Sequence, residues 1–224
     1  VMMVNNEIGA IEPVAEAGAL LKKKNPDILF HVDAIQAYGK LPIYPKKMNI
    51  DLLSVSGHKI HGPKGSGAIF IRKGVNLPPL ILGGGQEEGR RSGTQNVPAI
   101  AGLGLAAEMA AEDRFGRMAE LAEIRNSLME GLKTALDDIV INSPEQTGEA
   151  AGECCGTLLN VSFMGTRGEV LLHTLEQDGI YVSTGSACSS NKKGRSHVLS
   201  AMGLSDKAIE GTLRFSLGRF NTMD

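Results

Sequence analysis

Two segments of the sequence end on side chains that could act together on an aldehyde. Residues 30–36 contain an apolar run that ends on Asp33, and residues 51–59 form a second run that ends in small polar residues and Lys59. A lysine buried near other cationic groups loses its proton more readily, and its amine then attacks an aldehyde. A carboxylate beside a heteroaromatic nitrogen keeps that nitrogen protonated, because it raises the proton affinity of the nitrogen. The pair therefore indicates chemistry on an aromatic aldehyde.

Each of these residues also has an ordinary interpretation. An acid at a strand end is more often a helix cap or a turn residue, and a lysine just past a strand is more often a solvated cation. Lys59, however, follows Ser56, Gly57 and His58 and precedes the Gly/Pro turn of residues 62–65. This context favours a shaped pocket over a free surface.

A third segment, residues 183–194, carries a cysteine without any bulky apolar side chain around it. Such a stretch cannot anchor itself in a core, so we expect Cys188 to be exposed and mobile. The nearby Lys192, Lys193 and Arg195 favour its thiolate form. Cys188 is therefore the candidate nucleophile of the chain.

The other two cysteines have no such context. Three cysteines, an odd number without C-x-x-C spacing, fit neither a disulfide framework nor a zinc site. Cys154 and Cys155 are interpreted as inert, buried packing residues, as most single cysteines are. No metal site is expected.

Two glycine-rich segments have competing interpretations. Residues 83–94 form either a flexible surface loop or a segment whose backbone approaches a phosphate. Residues 102–107 match the loose dinucleotide-binding fingerprint, but they lie inside a helical pattern with no preceding strand. Close helix packing is the favoured explanation for the second segment.

The candidate residues need a sheet to bring them together. Ligands of open α/β sheets gather at the carboxyl ends of strands, where Asp33 and Lys59 are predicted to lie. Before residue 100, short β-rich runs alternate with Gly, Pro and helical stretches, which indicates a parallel or mixed sheet with crossover helices. The predicted strands are residues 1–4, 29–32, 52–54, 68–72, 139–141, 158–162, 180–182 and 212–217. The predicted helices are residues 13–24, 97–137 with a break at Gly116, 169–177 and 196–201, with a further helix start at Ser205.

Length and charge limit the possible functions. The 224 residues are 42% hydrophobic, so the chain is expected to be globular with a buried core. Its 23 basic and 25 acidic side chains are interspersed, and the net charge of −2 provides no field for nucleic acid or a membrane surface. Since the sequence shows no bilayer-spanning run and no secretion signal, we expect a cytoplasmic protein with a small-molecule partner. Val1 begins directly in an apolar run, so the chain is expected to be a fragment.

Five motifs follow one another along the chain. They are N-N-E-I-G at residues 5–9, H-V-D-A-x-Q at 31–36, S-G-H-K at 56–59, R-S-G-T at 91–94 and L-R-F-S-L-G-R-F at 213–220. Together they resemble the cysteine desulfurases among the fold-type I pyridoxal-phosphate enzymes, and G-S-A-C-S-S at 185–190 resembles the long-loop class of that family. The usual N-terminal portion of the family is missing, so the resemblance implies a C-terminal fragment.

The resemblance implies an α/β fold built from part of a large domain and a smaller one. Residues 1–100 would be the C-terminal part of the cofactor-binding sheet domain, with residues 101–137 as a helical connector. Residues 138–224 would be a small C-terminal α/β domain that carries the cysteine loop.

The resemblance also assigns cofactor roles to the candidate residues. It implies that Lys59 forms a Schiff base with pyridoxal 5′-phosphate and that Asp33 pairs with the pyridine nitrogen. That pairing is physically sensible, because the ring is an electron sink only while its nitrogen stays protonated. Gln36 and Asn6 would lie by the ring oxygen.

Further roles concern the phosphate and the substrate. By the resemblance, Ser56 and His58 bind the cofactor phosphate, and Thr94 reaches the phosphate of the neighbouring subunit. A homodimer is therefore implied. Arg214 is the match for the residue that binds the substrate carboxylate, and its fork of donors suits that group.

The implied activity is that of a cysteine desulfurase. L-cysteine would give its sulfur to Cys188 as a persulfide and leave as alanine. A sulfur-acceptor protein would then take the sulfur for iron-sulfur cluster or related biosynthesis. Two alternatives stay open: another fold-type I aminotransferase or lyase, which would not need Cys188, and an inactive fragment that acts as a binding module.

Overall fold

The computed structural model describes residues 1–112, 114–145, 154–185 and 195–223. They fall into two compact units, the first made of Val1–Met3 and Pro13–Arg114 and the second of Val4–Glu12 and Phe115–Asp224. Each unit contains both helices and strands, as the α/β prediction requires. The predicted division at residues 100 and 137 stays a prediction. Within the described ranges, no helix has the length and apolar character that a bilayer crossing needs.

The first unit is built on a three-stranded sheet in which β1 (His31–Asp33), β2 (Leu52–Ser56) and β3 (Gly67–Ile71) lie in that order. β1 and β2 are parallel, with Asp33 opposite Ser54, whereas β2 and β3 are antiparallel. The prediction of a mixed sheet is confirmed. Because β1 and β2 run the same way, their carboxyl ends share one edge of the sheet.

Two helices and two short 3₁₀ turns complete the first unit. The helices are α1 (Val14–Lys24) and α2 (Val97–Glu112), and the turns span Gly57–Ile60 and Glu87–Gly89. α2 packs closely on the segment that follows β2, because a Cβ added at Gly102 would lie 2.6 Å from Cγ of Pro63. A side chain does not fit there. The prediction that this glycine serves helix packing is confirmed.

A buried carboxylate locks the amino end of β2. Asp51 is 0% exposed and accepts hydrogen bonds from Lys22 Nζ at 2.6 Å, Arg72 Nε at 2.5 Å and the backbone N–H of Phe30 at 2.7 Å. Burial raises the pKa of this carboxyl, but the three donors lower it by more, so the pKa lies below its usual value of 3.8. The lock ties α1, β2 and the residue after β3 together.

The second unit is built on an antiparallel sheet of three strands, β4, β5 and β6, in that order. The strands are β4 (Ile139–Ile141), β5 (Leu158–Phe163) and β6 (Thr212–Ser216). The helices are α3 (Arg114–Ala135), α4 (Gly168–Gln177), α5 (His197–Ala201) and α6 (Asp206–Glu210). α3 covers one face of the sheet, where Met129 packs with Leu159 and Val161. This face is the apolar core of the unit.

Two predicted strands are wrong. Residues 1–4 form only isolated bridges, one at Met2 and one at Val4, because their two partners lie in different segments and no continuous ladder develops. Residues 180–182 form no strand, and the described residues just after them, 183–185, pair only through a bridge at Ser183. Apolar β-rich composition therefore marked a pairing segment but overestimated its regularity.

The predicted helix break at Gly116 is also wrong. α2 ends at Glu112 and α3 begins at Arg114, so Gly116 lies inside the first turn of α3. A glycine in a helix costs only about 1 kcal/mol, which the packing of a long helix outweighs.

The helix starts were predicted more accurately. Ser196 and Ser205 cap α5 and α6, because their hydroxyl oxygens accept hydrogen bonds from the backbone N–H groups of Leu199 and Ala208. Both hydroxyls satisfy donors that the first helical turn leaves unpaired.

Candidate functional site

The carboxyl ends of β1 and β2 place acidic, hydroxyl and basic side chains at one edge of the first sheet. Asp33 ends β1 and is half-buried, with its Oδ1 accepting the backbone N–H of Ile35 at 2.9 Å. Ser56 ends β2, and the turn Gly57–Ile60 follows at once with Lys59 half-buried in it. The parallel pairing of the strands therefore brings the two sequence segments together at this edge.

The turn after β2 presents a hydroxyl and an imidazole to the same surroundings. Ser56 Oγ lies 2.7 Å from Nδ1 of the exposed His58, and the two form a hydrogen bond. α2 supports the turn from behind, because Leu103 Cδ1 would lie 3.2 Å from a Cβ added at Gly57. A turn held in this way can keep its polar groups in place for an anion.

A second serine and histidine pair was missed by the sequence reasoning. His31 Nε2 lies 2.7 Å from Ser54 Oγ, on neighbouring strands. The available signal was alternation: His31 lies two residues before Asp33, and Ser54 lies two residues before Ser56. Residues two apart on a strand share a face of the sheet.

Gln36 lies just beyond β1 and is half-buried. Its Oε1 accepts a hydrogen bond from Lys40 Nζ at 3.3 Å. This contact orients the side-chain amide, which remains in the same unit as Asp33.

Thr94 lies on the glycine-rich segment of the first unit and is exposed. The segment has internal order, because Gln86 Oε1 accepts the backbone N–H of Gly93 at 3.0 Å and Ser92 is buried. An exposed threonine on a braced segment is available to a neighbouring molecule.

The N-N-E-I-G motif forms a tight turn in the second unit. Asn5 Oδ1 accepts the backbone N–H groups of Glu7 at 2.9 Å and Ile8 at 3.1 Å, so the first asparagine builds the turn. Gly9 has a φ of +78°, a left-handed conformation that favours glycine. Asn6 is half-buried, and its side chain is not needed for the turn.

Arg214 lies on β6 and is largely buried. Its guanidinium donates to the carbonyl oxygen of Asn6 at 3.0 Å, to Ser216 Oγ at 3.1 Å and to Ser183 Oγ at 3.5 Å. These contacts fix the plane of the guanidinium against the Asn6 turn.

The structure describes two of the three cysteines. Cys154 and Cys155 are buried, and Cys155 Sγ lies 3.2 Å from Thr157 Oγ1. Burial raises the pKa of the Cys154 thiol, an effect that the charge of Arg125 partly offsets. The predicted burial of the two residues is confirmed. Cys188 lies outside the described residues.

The buried thiols should react slowly with alkylating reagents. In the folded protein we expect Cys154 to react with iodoacetamide at least about tenfold more slowly than in urea, since a local opening of about 1.4 kcal/mol already lowers access by that factor. The alkylation rate of Cys154 should keep rising at pH values where the rate of an ordinary thiol has already levelled off. The reason is that a raised pKa shifts formation of the reactive thiolate to higher pH. Mass spectrometry of the alkylated peptides at several pH values measures both. Rapid labelling of Cys154 at pH 7 would contradict the prediction.

The donor set of the first unit fits pyridoxal 5′-phosphate. It provides a carboxylate for a ring nitrogen, an amide for a ring oxygen, a hydroxyl and an imidazole for a phosphate, and an amine for an aldehyde. The residues that would hold the cofactor are Asp33, Gln36, Ser56, His58 and Lys59.

Comparison with known proteins gives one consistent family. The sequence model of the family described as aminotransferase class-V matches residues 1–224. The chain is 47% identical over 224 residues to a Methanosarcina thermophila protein named cysteine desulfurase IscS, a match that covers 100% of this chain and 53% of that protein. The chain spans about half the length of the curated relatives it matches.

Solved structures agree with this result. A solved structure described as a NifS-like protein superposes on this chain with a TM-score of 0.87 at 42% sequence identity. The match covers 99% of this chain and 55% of the NifS-like chain. A structure described as SspA in complex with cysteine superposes with a TM-score of 0.72 at 35% sequence identity. This match covers 96% of this chain and 57% of the SspA chain. The predicted fold class is confirmed by these likenesses.

Proposed function

The chain belongs to the class-V aminotransferase family, and on that premise we propose that it acts as a pyridoxal-phosphate-dependent cysteine desulfurase. The observation that carries the proposal is the edge of the first sheet, where Asp33 ends β1 and Ser56 ends β2 just before the turn with Lys59. The relative named cysteine desulfurase and the neighbour described in complex with cysteine support L-cysteine as the substrate.

Pyridoxal phosphate, when bound, supplies an electron sink for charge at the α-carbon of an amino acid. Asp33 serves that chemistry by holding a proton on the ring nitrogen, since its carboxylate raises the proton affinity of that atom. Lys59 provides the amine that holds the aldehyde carbon and then carries the α-proton on Nζ. Gln36 and Asn6 donate hydrogen bonds to the ring oxygen.

Ser56 and His58 bind the phosphate of the cofactor through their paired hydroxyl and imidazole groups. Thr94 binds the phosphate held by a second copy of the chain, and its exposure on the braced segment supports that role. The active protein is therefore proposed to be a homodimer. Arg214 binds the substrate carboxylate with its guanidinium fork.

Sulfur leaves the substrate through Cys188. Its thiolate attacks the sulfur of L-cysteine, so that an S–S bond forms and the C–S bond breaks. Alanine departs after protonation of the carbon, and Cys188 holds the persulfide. A thiol of a sulfur-acceptor protein then takes the outer sulfur for iron-sulfur cluster or related biosynthesis. The buried free thiols of Cys154 and Cys155 suit a reducing compartment, and we propose the cytoplasm.

Replacement of the nucleophile tests the function. Cys188→Ala should abolish sulfur transfer to a reductant or acceptor while the near-visible absorption band of the bound cofactor stays unchanged, because the thiol acts on sulfur and not on cofactor binding. Ser190→Ala, a change of similar size in the same stretch, should leave turnover at the wild-type level. Alanine release and sulfide release are measured together.

Other outcomes favour the alternatives. Unchanged turnover of a non-sulfur amino acid by Cys188→Ala would support another fold-type I aminotransferase or lyase. A protein that stays colourless after addition of pyridoxal phosphate would favour a binding module and overturn the proposal.

A further inference from the structure

The sheet of the second unit has a polar face that is almost fully buried. Asn142, Asn160, Ser162 and Thr212 are each at most 5% exposed, and all four lie in or beside the sheet strands. The opposite face is the apolar core under α3. Several buried polar side chains on one sheet face are unusual, because each must find hydrogen-bond partners to offset its desolvation.

Hydrogen bonds along this face fix the orientation of one amide. Asn142 Nδ2 donates to Asn160 Oδ1 at 2.8 Å and to Ser162 Oγ at 2.8 Å. Because Asn160 Oδ1 is occupied as an acceptor, its Nδ2 is left to donate to the carbonyl oxygen of Glu7 at 3.2 Å. The backbone N–H of Asn160 also donates to Ser143 Oγ at 2.8 Å. The side chain is thus held at both ends.

The fixed amide contacts the turn that carries Asn6. Glu7 is the next residue after Asn6, and the Asn6 carbonyl accepts from Arg214 Nη1 at 3.0 Å. Asn160 is also the cross-strand partner of Arg214 in the register of β5 and β6. Asn160 therefore borders both the proposed cofactor residue and the proposed substrate residue of this unit.

We propose that Asn160 is a positioning residue for Asn6 and Arg214. It acts through the Glu7 carbonyl on one side and through the β5–β6 pairing on the other, and it contacts neither cofactor nor substrate. The inference rests on the proposed function, because only that function gives Asn6 a cofactor and Arg214 a substrate to bind.

The polar face lowers the stability of the fold, and this cost supports a positioning role. Asn142 Oδ1 is buried without a hydrogen-bond partner among the described residues. An unsatisfied acceptor lowers stability, and apolar side chains of similar size would avoid the cost. The hydrogen-bond network is retained despite this loss of stability, and it is well suited to fix one orientation of the Asn160 amide.

The test compares two alanine substitutions on the same sheet face in the complete protein. Asn160→Ala should raise the dissociation constant of pyridoxal phosphate and the KM for L-cysteine about tenfold each, the effect of one lost hydrogen bond of ordinary strength. Ser162→Ala removes a partner of Asn142 and Thr212 that does not reach the Asn6 turn. It should leave both constants within about twofold of wild type.

Hydrogen exchange gives a readout that does not depend on activity. The amides of Glu7, Ile8 and Gly9 are hydrogen-bonded within the turn, and they should exchange faster in Asn160→Ala but not in Ser162→Ala. If Asn160→Ala fails to fold, Asn142→Ala replaces it, because this change frees the Asn160 amide to rotate. It should raise the same two constants by about threefold.

The outcomes separate the inference from the proposed function. Wild-type binding constants and unchanged exchange in Asn160→Ala would overturn the inference, and so would equal effects from Ser162→Ala. If the wild-type protein neither binds pyridoxal phosphate nor forms alanine, the proposed function fails, and the exchange of the turn alone then decides whether Asn160 positions it.

Discussion

Replacing Lys59 with alanine is expected to lower the turnover of L-cysteine about 10³-fold or more while the chain remains folded. Lys59 is half-buried on the Gly57–Ile60 turn, and removal of its amine takes away both the proposed attachment point of the cofactor and the proposed proton carrier. Turnover is measured as alanine released per protein. Borohydride reduction of the wild-type protein should also fix the cofactor on a peptide that contains residue 59.

The control for this experiment lies five residues along the chain. Lys64 is exposed, and Lys64→Ala should keep wild-type turnover and the wild-type absorption band. Equal losses from Lys59→Ala and Lys64→Ala would mean that the positive charge of the region matters and not the amine at residue 59. Reduced cofactor found on another lysine would contradict the assignment directly.

Asp51→Asn is expected to lower the free energy of unfolding by about 3 kcal/mol at pH 7. The substitution keeps the size of the side chain but removes the charge that two cations share, and it leaves Lys22 with an amide in a largely buried position. Urea denaturation followed by circular dichroism measures the loss as a shift of the midpoint.

The effect should depend on pH with a definite sign. The pKa of Asp51 is lower in the folded state than its usual value of 3.8, so its charge contributes stability above that value. This contribution is lost as the pH falls through the folded-state pKa. The difference between wild type and Asp51→Asn should therefore be full at pH 7 and shrink below about pH 4.

Asp27→Asn serves as the matched control. Asp27 lies in the same unit and is exposed, so the same change of charge should alter the free energy of unfolding by less than about 0.5 kcal/mol. A similar loss from both variants would show that net charge, and not the buried lock, sets the stability of the unit.

Local patterns predicted most elements of the fold because the signals are contained in short windows. The helix predicted over residues 13–24 appears as α1, and the strand predicted over 139–141 appears unchanged as β4. The helix start predicted at Ser205 appears as the cap of α6, and the helix predicted over residues 196–201 appears as α5 with Ser196 as its cap. The edge bearing Asp33 and Lys59 could also be anticipated, since parallel strands align their carboxyl ends.

Long-range polar contacts could not be predicted in this way. Asp51 meets Lys22 and Arg72 only after the sheet has formed, and nothing in its own segment marks it as a fully buried carboxylate. Asn160 lies in a strand with strong β-propensity, and its contact with Glu7 spans 153 residues of sequence. Partner choice over such distances is a property of the tertiary fold and not of a sequence window.

The different roles of the two asparagines in the N-N-E-I-G motif could not be predicted from the sequence for a related reason. Asn5 and Asn6 are identical in type, and only the backbone of the turn shows that Asn5 accepts two local N–H groups. The proposed role of Asn6 rests on the resemblance to a known family, because its side-chain chemistry alone does not distinguish it from Asn5.

For protein engineering, a substitution at residue 102 has to be considered together with residue 63, because the two residues lie close together. A methyl group placed at residue 102 would collide with the proline ring 2.6 Å away, in the segment that follows the Gly57–Ile60 turn. A library that diversifies residue 102 alone would therefore consist mainly of damaged variants. Substitutions intended to alter substrate preference are better spread over exposed neighbours, with Gly102 and Pro63 kept or exchanged as a pair whose volumes compensate.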